Sequence, residues 1–151
     1  MTGGDGDVLE SPEEQAELSR LMRNWKRDPQ SVKAAFDRLR EKLSKKEDTV
    51  FTFKARAGVS YSLRVWIGDA NGQAARLLAL VDVIDDDPES RWLSICFYEG
   101  MITDPEGLGN LVPKGILGED GLCFDLFEYD EAFISYVEKR IDEAYGSASS
   151  R

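Results

Sequence analysis

The sequence predicts an α+β domain with an N-terminal αα-hairpin, a five-stranded and mainly antiparallel sheet, and a C-terminal helix packed on the sheet. Three observations predict this fold. Apolar residues recur at helical spacing between residues 11 and 46, alternate with polar residues at strand spacing from residue 49, and return to helical spacing after residue 130. Helices followed by a block of strands and one more helix are typical of an antiparallel sheet with helices packed on it.

The two N-terminal helices are predicted from their caps and stripes. Ser11 is a favoured N-cap, Pro12 suits the first helical position, and Glu14 completes a capping-box pattern. Asp28-Pro29 ends the first helix, and Ser31 is the predicted N-cap of the second. The apolar stripes are Leu18, Leu21, Met22 and Trp25 in the first helix, and Val32, Ala35, Phe36, Leu39 and Leu43 in the second.

Three strands follow the helices. Residues 49–56 and 59–67 alternate between apolar and polar side chains around an Ala57-Gly58 turn, which predicts a β-hairpin. Residues 74–84 are almost all apolar. They therefore predict a central strand that is buried on both faces.

The remaining sheet region, which ends near residue 128, is interrupted. Residues 91–99 and 122–127 predict a fourth and a fifth strand. Between them, residues 100–121 hold six glycines and two prolines without a sustained period. Such a long connection without secondary structure is uncommon inside a domain unless it is functional. A binding loop or lid is therefore one interpretation of this segment, and a structural meander is the favoured one. Asp130 is the predicted cap of a last helix over residues 130–145.

The length of 151 residues predicts a single domain over residues 11–146, with a disordered tail at 1–10 and a frayed tail at 147–151. The first residues lack the basic and apolar regions of a signal peptide. No apolar stretch approaches the ~20 residues that cross a bilayer. The sequence therefore predicts a cytoplasmic protein that does not associate with membranes.

The residue types present restrict the chemistry. The chain has no histidine, which removes histidine-based acid–base catalysis, most nucleophile–histidine pairs and all histidine-ligated metal sites. Carboxylate, lysine and tyrosine chemistry stay open, but an enzyme becomes less favoured. Cys96 and Cys123 lie in separate apolar stretches outside any CxxC pair, so they are predicted to be buried free thiols that are neither catalytic nor metal-binding. No cofactor and no metal is predicted.

The charge is acidic and unevenly distributed. A net charge of −10 and a pI near 4.5 argue against binding of nucleic acid or anionic membranes. Residues 20–47 nevertheless carry ten bases and four acids. These bases suit either two solvated helix faces or a docking surface for an acidic partner, with Arg20, Arg23 and Lys26 as docking residues. The partner could be another protein or, through self-association, the acidic body of a second copy.

One face of the predicted sheet is a candidate ligand site. Alternation places small polar and aromatic residues on the face opposite the core, where Arg64 could bind an anion between aromatic side chains. The alternative is an ordinary outer face on which Arg64 pairs with Asp125 or Asp82. The residues of the candidate ligand face are Arg64, Trp66, Cys96 and Asp125.

Two further segments have weaker functional interpretations. Acids at residues 82–89 could hold a divalent cation, although a solvated turn is favoured because the segment lacks the glycine and glutamate spacing of a calcium loop. The residues Gly107, Gly109 and Lys114 invite comparison with a phosphate-binding loop, but they fail its spacing and lack the following hydroxyl residue. A structural meander is the favoured interpretation of this loop.

Taken together, these patterns favour a small binding or adaptor protein that recognises a protein partner through the basic helices or the glycine-rich loop. The alternative function is a small-molecule-binding domain, or an enzyme without recognisable motifs, that uses the mixed face of the sheet.

Overall fold

The computed structural model describes Leu9 and residues 11–149, and it has the predicted α+β fold. The helices are α1 (Pro12–Asn24), α2 (Val32–Ser44) and α3 (Glu131–Ser149). The strands are β1 (Thr49–Arg56), β2 (Ser60–Gly68), β3 (Ala74–Ile84), β4 (Trp92–Tyr98), β5 (Asn110–Ile116) and β6 (Glu119–Leu126). They form one antiparallel sheet in the order β1-β2-β3-β4-β6-β5.

The sheet has six strands rather than the predicted five, because β5 lies inside the glycine-rich segment. Asn110, Leu111 and Val112 pair with β6, but the register shifts between Val112 and Ile116. Lys114, in the shifted part, has a positive φ of 54°. This bulge, together with Pro113, breaks the alternation of side chains, and for that reason the sequence pattern did not show a strand here.

The helices pack on one face of the sheet and leave the other face without a helix in the described chain. α1 lies against β1, α3 against β3, and α2 against α3 and β4. Aromatic contacts join the layers, since Phe124 of β6 meets the rings of Phe133 and Tyr136 on α3. The fully buried sheet residues of this core include Leu63, Val65, Val81, Val83, Leu93, Ile95, Phe97 and Phe124.

Two of the three predicted helix caps are confirmed. The Ser11 hydroxyl accepts the N–H of Glu14 at 3.1 Å, and an Asp130 carboxylate oxygen accepts the N–H of Phe133 at 3.1 Å. The prediction for α2 is wrong. Ser31 has a left-handed φ of 58° and makes no side-chain cap. The carboxylate of Asp28 instead accepts the N–H groups of Val32 and Lys33, at 2.8 and 3.0 Å, because the turn before α2 folds back onto that side chain.

The chain ends differ from their predictions where they are described. α3 continues to Ser149 and buries Ala148, so residues 147–149 are helical and not frayed. Leu9 is buried and forms a parallel bridge with Phe51 of β1. The other residues of the predicted N-terminal tail, and residues 150–151, lie outside the described residues.

Candidate functional site

The mixed face of the sheet, called the open face below, carries the predicted ligand residues. Cross-strand pairing joins Ser62 to Asp82, Asp82 to Ser94, and Ser94 to Asp125. These residues therefore form one polar row across four strands. The residues of the open face are Thr52, Lys54 and Arg56 on β1, Ser62, Arg64 and Trp66 on β2, Leu80, Asp82 and Ile84 on β3, Trp92, Ser94 and Cys96 on β4, and Cys123 and Asp125 on β6.

Asp82 is the most constrained polar group of this row. One carboxylate oxygen, Oδ1, is buried and has no hydrogen-bond partner. Burial raises the pKa of Asp82, and this effect is opposed by a hydrogen bond from Ser62 and by the positive charges of Arg64 and Arg56. An unpaired buried carboxylate oxygen costs free energy that a ligand or a partner could recover by supplying a donor.

Arg64 has no carboxylate partner within ion-pair distance among the described residues. Its Nε atom approaches the Ser62 hydroxyl oxygen at 3.5 Å, which is a long contact. The expected alternative, an ion pair with Asp125 or Asp82, is therefore absent at contact distance. Asp125 is itself half-buried, and burial raises its pKa while a hydrogen bond from Ser94 lowers it.

Apolar side chains border the polar row. The Trp66 indole donates to the Thr52 hydroxyl at 3.0 Å, and Trp92 stacks on Phe127 with ring centroids 4.9 Å apart. Leu80 and Ile84 on β3 are only half-buried. The prediction that this strand is buried on both faces is therefore wrong for these two residues, since the described chain packs helices on one face only.

The two cysteines form a disulfide across the open face, so the prediction of free thiols is wrong. Cys96 and Cys123 are directly opposed on β4 and β6, with Cα atoms 4.1 Å apart. They lie 27 residues apart in sequence, and only the pairing of these two strands brings them together. The structure thus brings Arg64, Trp66, Cys96 and Asp125 onto one face, with Cys96 as half of a disulfide.

The three predicted loop residues do not converge on an anion site. Gly107 lies in a turn with φ of 66°, Gly109 precedes β5, and Lys114 lies in the β5 bulge. A side-chain Cβ at Gly109 would stand 2.8 Å from Leu122 Cγ, so glycine is required there for packing.

An internal carboxylate takes the place that an anion would occupy in this loop. Asp104 accepts the N–H of Leu108 at 3.0 Å and that of Gly109 at 2.8 Å, and it also accepts the Tyr136 hydroxyl. Partial burial raises the pKa of Asp104, but these three hydrogen bonds outweigh burial and hold the pKa below its ordinary value. The loop is thus tied to α3 by its own aspartate.

The lowered pKa of Asp104 predicts how its contribution to stability changes with pH. We expect Asp104→Asn to lower the free energy of unfolding by about 1–3 kcal/mol near pH 6, because charge-assisted hydrogen bonds are lost. Since the folded pKa lies below the unfolded value near 3.8, this difference is complete above that pH. It shrinks as the pH falls through the folded pKa. Chemical unfolding of both proteins from pH 3 to 7 measures it, and a difference that stays constant would contradict the assignment.

The free edge of β5 carries several exposed apolar side chains. Leu108, Leu111, Val112 and Leu117 are 40%, 57%, 39% and 63% exposed. Beside this edge, on the helix side of the sheet, lies a cleft of about 390 Å³. It is lined by Glu106, Leu108, Asp130, Ala132, Phe133, Tyr136 and Lys139.

The opposite edge of the sheet is covered. Leu9 bridges Phe51 of β1, and the Glu14 carboxylate accepts the N–H of Phe53 at 2.7 Å. Glu14 therefore caps the edge strand, in addition to lying at the capping-box position of α1. The β5 edge of the sheet is thus free to pair with another strand, whereas the β1 edge is covered.

The predicted acidic cluster is divided between two environments. Asp82 lies on the open face, whereas Asp85 is buried and accepts the Arg91 Nε at 2.7 Å and the Gly58 N–H at 2.8 Å. Asp86 and Asp87 are exposed. Within the described part of the chain, no group of three or more acids or cysteines is placed to hold a metal ion.

The basic helices are partly neutralised inside the fold. Arg38 of α2 makes a bidentate pair with Glu138, at 3.0 and 2.9 Å, and a third contact with Glu131 at 2.6 Å. Lys42 and Lys46 both approach Asp142. The bases of α2 thus hold α3 in place, while the predicted docking residues Arg20, Arg23 and Lys26 are exposed.

Comparison with known proteins finds no family model that matches the chain, and no curated protein or solved structure that is significantly similar to it. No helix of the described chain is both long and apolar enough to cross a membrane.

Proposed function

We propose that this protein binds an extended segment of a partner protein by strand addition at the free edge of β5. One observation carries the proposal. Of the seven large apolar side chains that are exposed among the described residues, four lie on β5 or next to it. Large exposed apolar side chains that gather in one segment mark a candidate interaction site. An edge strand also offers unpaired backbone groups to another chain.

The backbone of β5 supports this mode of binding. β5 pairs with β6 on one side only, so the N–H and C=O of every second residue point away from the sheet. Pro113 and the bulge that follows it limit continuous pairing to the first part of the strand. The N–H groups of Leu108 and Gly109 are engaged by Asp104, so the predicted acceptor segment is Asn110–Val112.

The adjacent cleft supplies side-chain selectivity. In strand addition, main-chain hydrogen bonds give affinity and pockets for alternate side chains give specificity. The cleft presents Leu108 and Phe133 as apolar walls, with Glu106 and Asp130 among its lining residues. Glu119 and Asp120 lie at the far end of the same hairpin. Lys139 also lines the cleft, so the lining favours a peptide with one apolar anchor residue and polar flanks.

The glycine-rich segment, one of the two interfaces predicted from sequence, thus contributes the edge strand. The other interface, formed by Arg20, Arg23 and Lys26, stays a prediction. It has less support, because the neighbouring bases of α2 are engaged with α3. A cytoplasmic location also stays a prediction, and the disulfide weighs against it, since such bonds persist mainly in oxidising compartments.

The proposal is tested with a random peptide display library selected on the full chain, followed by calorimetry of the enriched peptides. We expect Leu111→Lys to weaken binding about tenfold or more, because it removes apolar contact worth about 1.5–3 kcal/mol. Val59→Lys is the matched control, since Val59 is 55% exposed at the distant β1–β2 turn. Enriched peptides that bind Leu111→Lys normally, or the enrichment of no peptide, would refute strand addition at β5.

A further inference from the structure

The open face carries features that strand addition at β5 does not use. Leu80 and Ile84 belong to a strand that is apolar on both sides, yet they stay half-buried. Asp82 keeps a buried oxygen without a donor, and Arg64 has no carboxylate at contact distance. Half-buried apolar side chains beside unpaired charged groups are typical of an interface, whereas a solvated sheet face is mainly polar.

The charges on this face are separated. Lys54, Arg56 and Arg64 lie on β1 and β2, toward one edge of the sheet. Asp82 and Asp125 lie on β3 and β6, in the middle and toward the other edge. Such a face is complementary in charge to a copy of itself, provided that the copy is turned so that its basic side meets the acidic side.

We propose that the open face binds the open face of a second copy, forming a two-fold dimer with the two sheets stacked. The occupant follows from the charge pattern, because a self-complementary patch is the requirement of an isologous interface. Stacked sheets lie about 10 Å apart, a distance that the long side chains of arginine, lysine and tryptophan can span between them.

The same pattern selects the orientation of the two-fold axis. An axis perpendicular to the strands would place β2 over β2 of the second copy and bring like charges together. An axis parallel to the strands reverses the strand order, so that β2 lies over β6 of the second copy and β3 lies over β4. Asp82 then faces Ser94 of the second copy, whose hydroxyl is a donor. Arg64 lies in the neighbouring row, over Cys123 of the second copy. Asp125 of that copy is two residues, or about 6.6 Å, further along the strand, where the long Arg64 side chain can reach it.

The size of the face is adequate for a stable pair. Six strands at about 4.8 Å and seven residues at about 3.3 Å give a sheet of roughly 24 by 23 Å. The resulting flat area is roughly 550 Å² per partner, or about 1,100 Å² in total, which lies at the lower end of specific interfaces. Leu80 would lie near its centre, where apolar contact contributes most, and Ile84 at the end of the same strand.

Sedimentation of the full chain over a range of concentrations tests the proposal. We expect a monomer–dimer equilibrium, and we expect Arg64→Glu and Asp125→Arg each to raise the dimer dissociation constant about 100-fold, because each change opposes like charges twice across the interface. An equimolar mixture of the two variants should restore dimerisation, since each introduced charge then meets an opposite charge on the other chain.

The mixture distinguishes contact between chains from contact within one chain. Arg64 and Asp125 are three strands apart in a single sheet, or about 14 Å, so they cannot rescue each other inside one molecule. Circular dichroism confirms that both variants are folded, and Leu111→Lys at the β5 edge serves as a control that should dimerise normally. A wild-type chain that stays monomeric at all concentrations, or a mixture that fails to associate, would overturn the proposal and leave strand addition at β5 unaffected.

Discussion

Replacement of Asp85 by alanine is expected to lower the free energy of unfolding by about 3–5 kcal/mol, because it leaves the buried Arg91 guanidinium without its counter-charge. The side chains of Asp85 and Arg91 are only 5% and 8% exposed. The Arg91 guanidinium also lies over the rings of Trp25 and Tyr61, so it cannot turn to solvent without losing those contacts. Asp85 further accepts the N–H of Gly58 in the β1–β2 turn.

The pair therefore connects three parts of the fold: the end of α1, the β1–β2 turn and the start of β4. Equilibrium unfolding in urea measures the loss. Asp86→Ala is the matched control, because Asp86 is the next residue in the same acidic segment and is exposed, so its removal should change the free energy of unfolding by less than about 0.5 kcal/mol. Equal effects of the two substitutions would show that the ion pair does not stabilise the fold.

Removal of the disulfide by Cys96→Ala together with Cys123→Ala is expected to cost about 3–4 kcal/mol of stability. The bond closes a loop over a sequence separation of 27 residues, and the loss follows from the loop entropy that it removes from the unfolded chain. Reduction of the wild-type protein should have a similar effect, because it opens the same loop while leaving the packing of β4 and β6 in place.

The double alanine variant is also the control for reduction. Its unfolding midpoint should not respond to a thiol reductant, whereas that of the wild type should fall. Thiol titration of the native protein without reductant should find no free cysteine. Two reactive thiols in that experiment would contradict the disulfide and would restore the prediction made from the sequence.

Local patterns were sufficient for most of the secondary structure. The spacing of apolar residues predicted α1 and α2 and the bounds of β1, since each pattern reflects one buried side of one element. The bounds of β3 followed from its nearly continuous apolar run. Ser11 and Asp130 were recognisable as caps for the same reason, because a cap is a contact within four residues. The face shared by Arg64, Trp66, Cys96 and Asp125 followed from alternation in three strands.

Prediction failed where the deciding contact joins residues that are distant in sequence or spans a bulge. Strand β5 was missed because Pro113 and the positive φ of Lys114 interrupt its alternation. The charge segregation suggested a basic docking surface, but a composition count cannot show that Arg38 meets Glu138 across two helices. The proposal for β5 could not come from the sequence, because it depends on knowing that this strand lies at the edge of the sheet and that its leucines are exposed.

The amino-acid pattern alone therefore established the α+β class, the order along the chain of the helices and most strands, and the absence of histidine chemistry. It also established that one face of the sheet is apolar and the other is mixed. Tertiary structure decided the sixth strand, the pairing of Cys96 with Cys123, the burial of Asp85 with Arg91, and which sheet edge is free. The physical reason is the range of the interactions. Periodicity and caps depend on neighbours along the chain, whereas strand order, ion pairing and disulfide formation depend on which distant segments the core brings together.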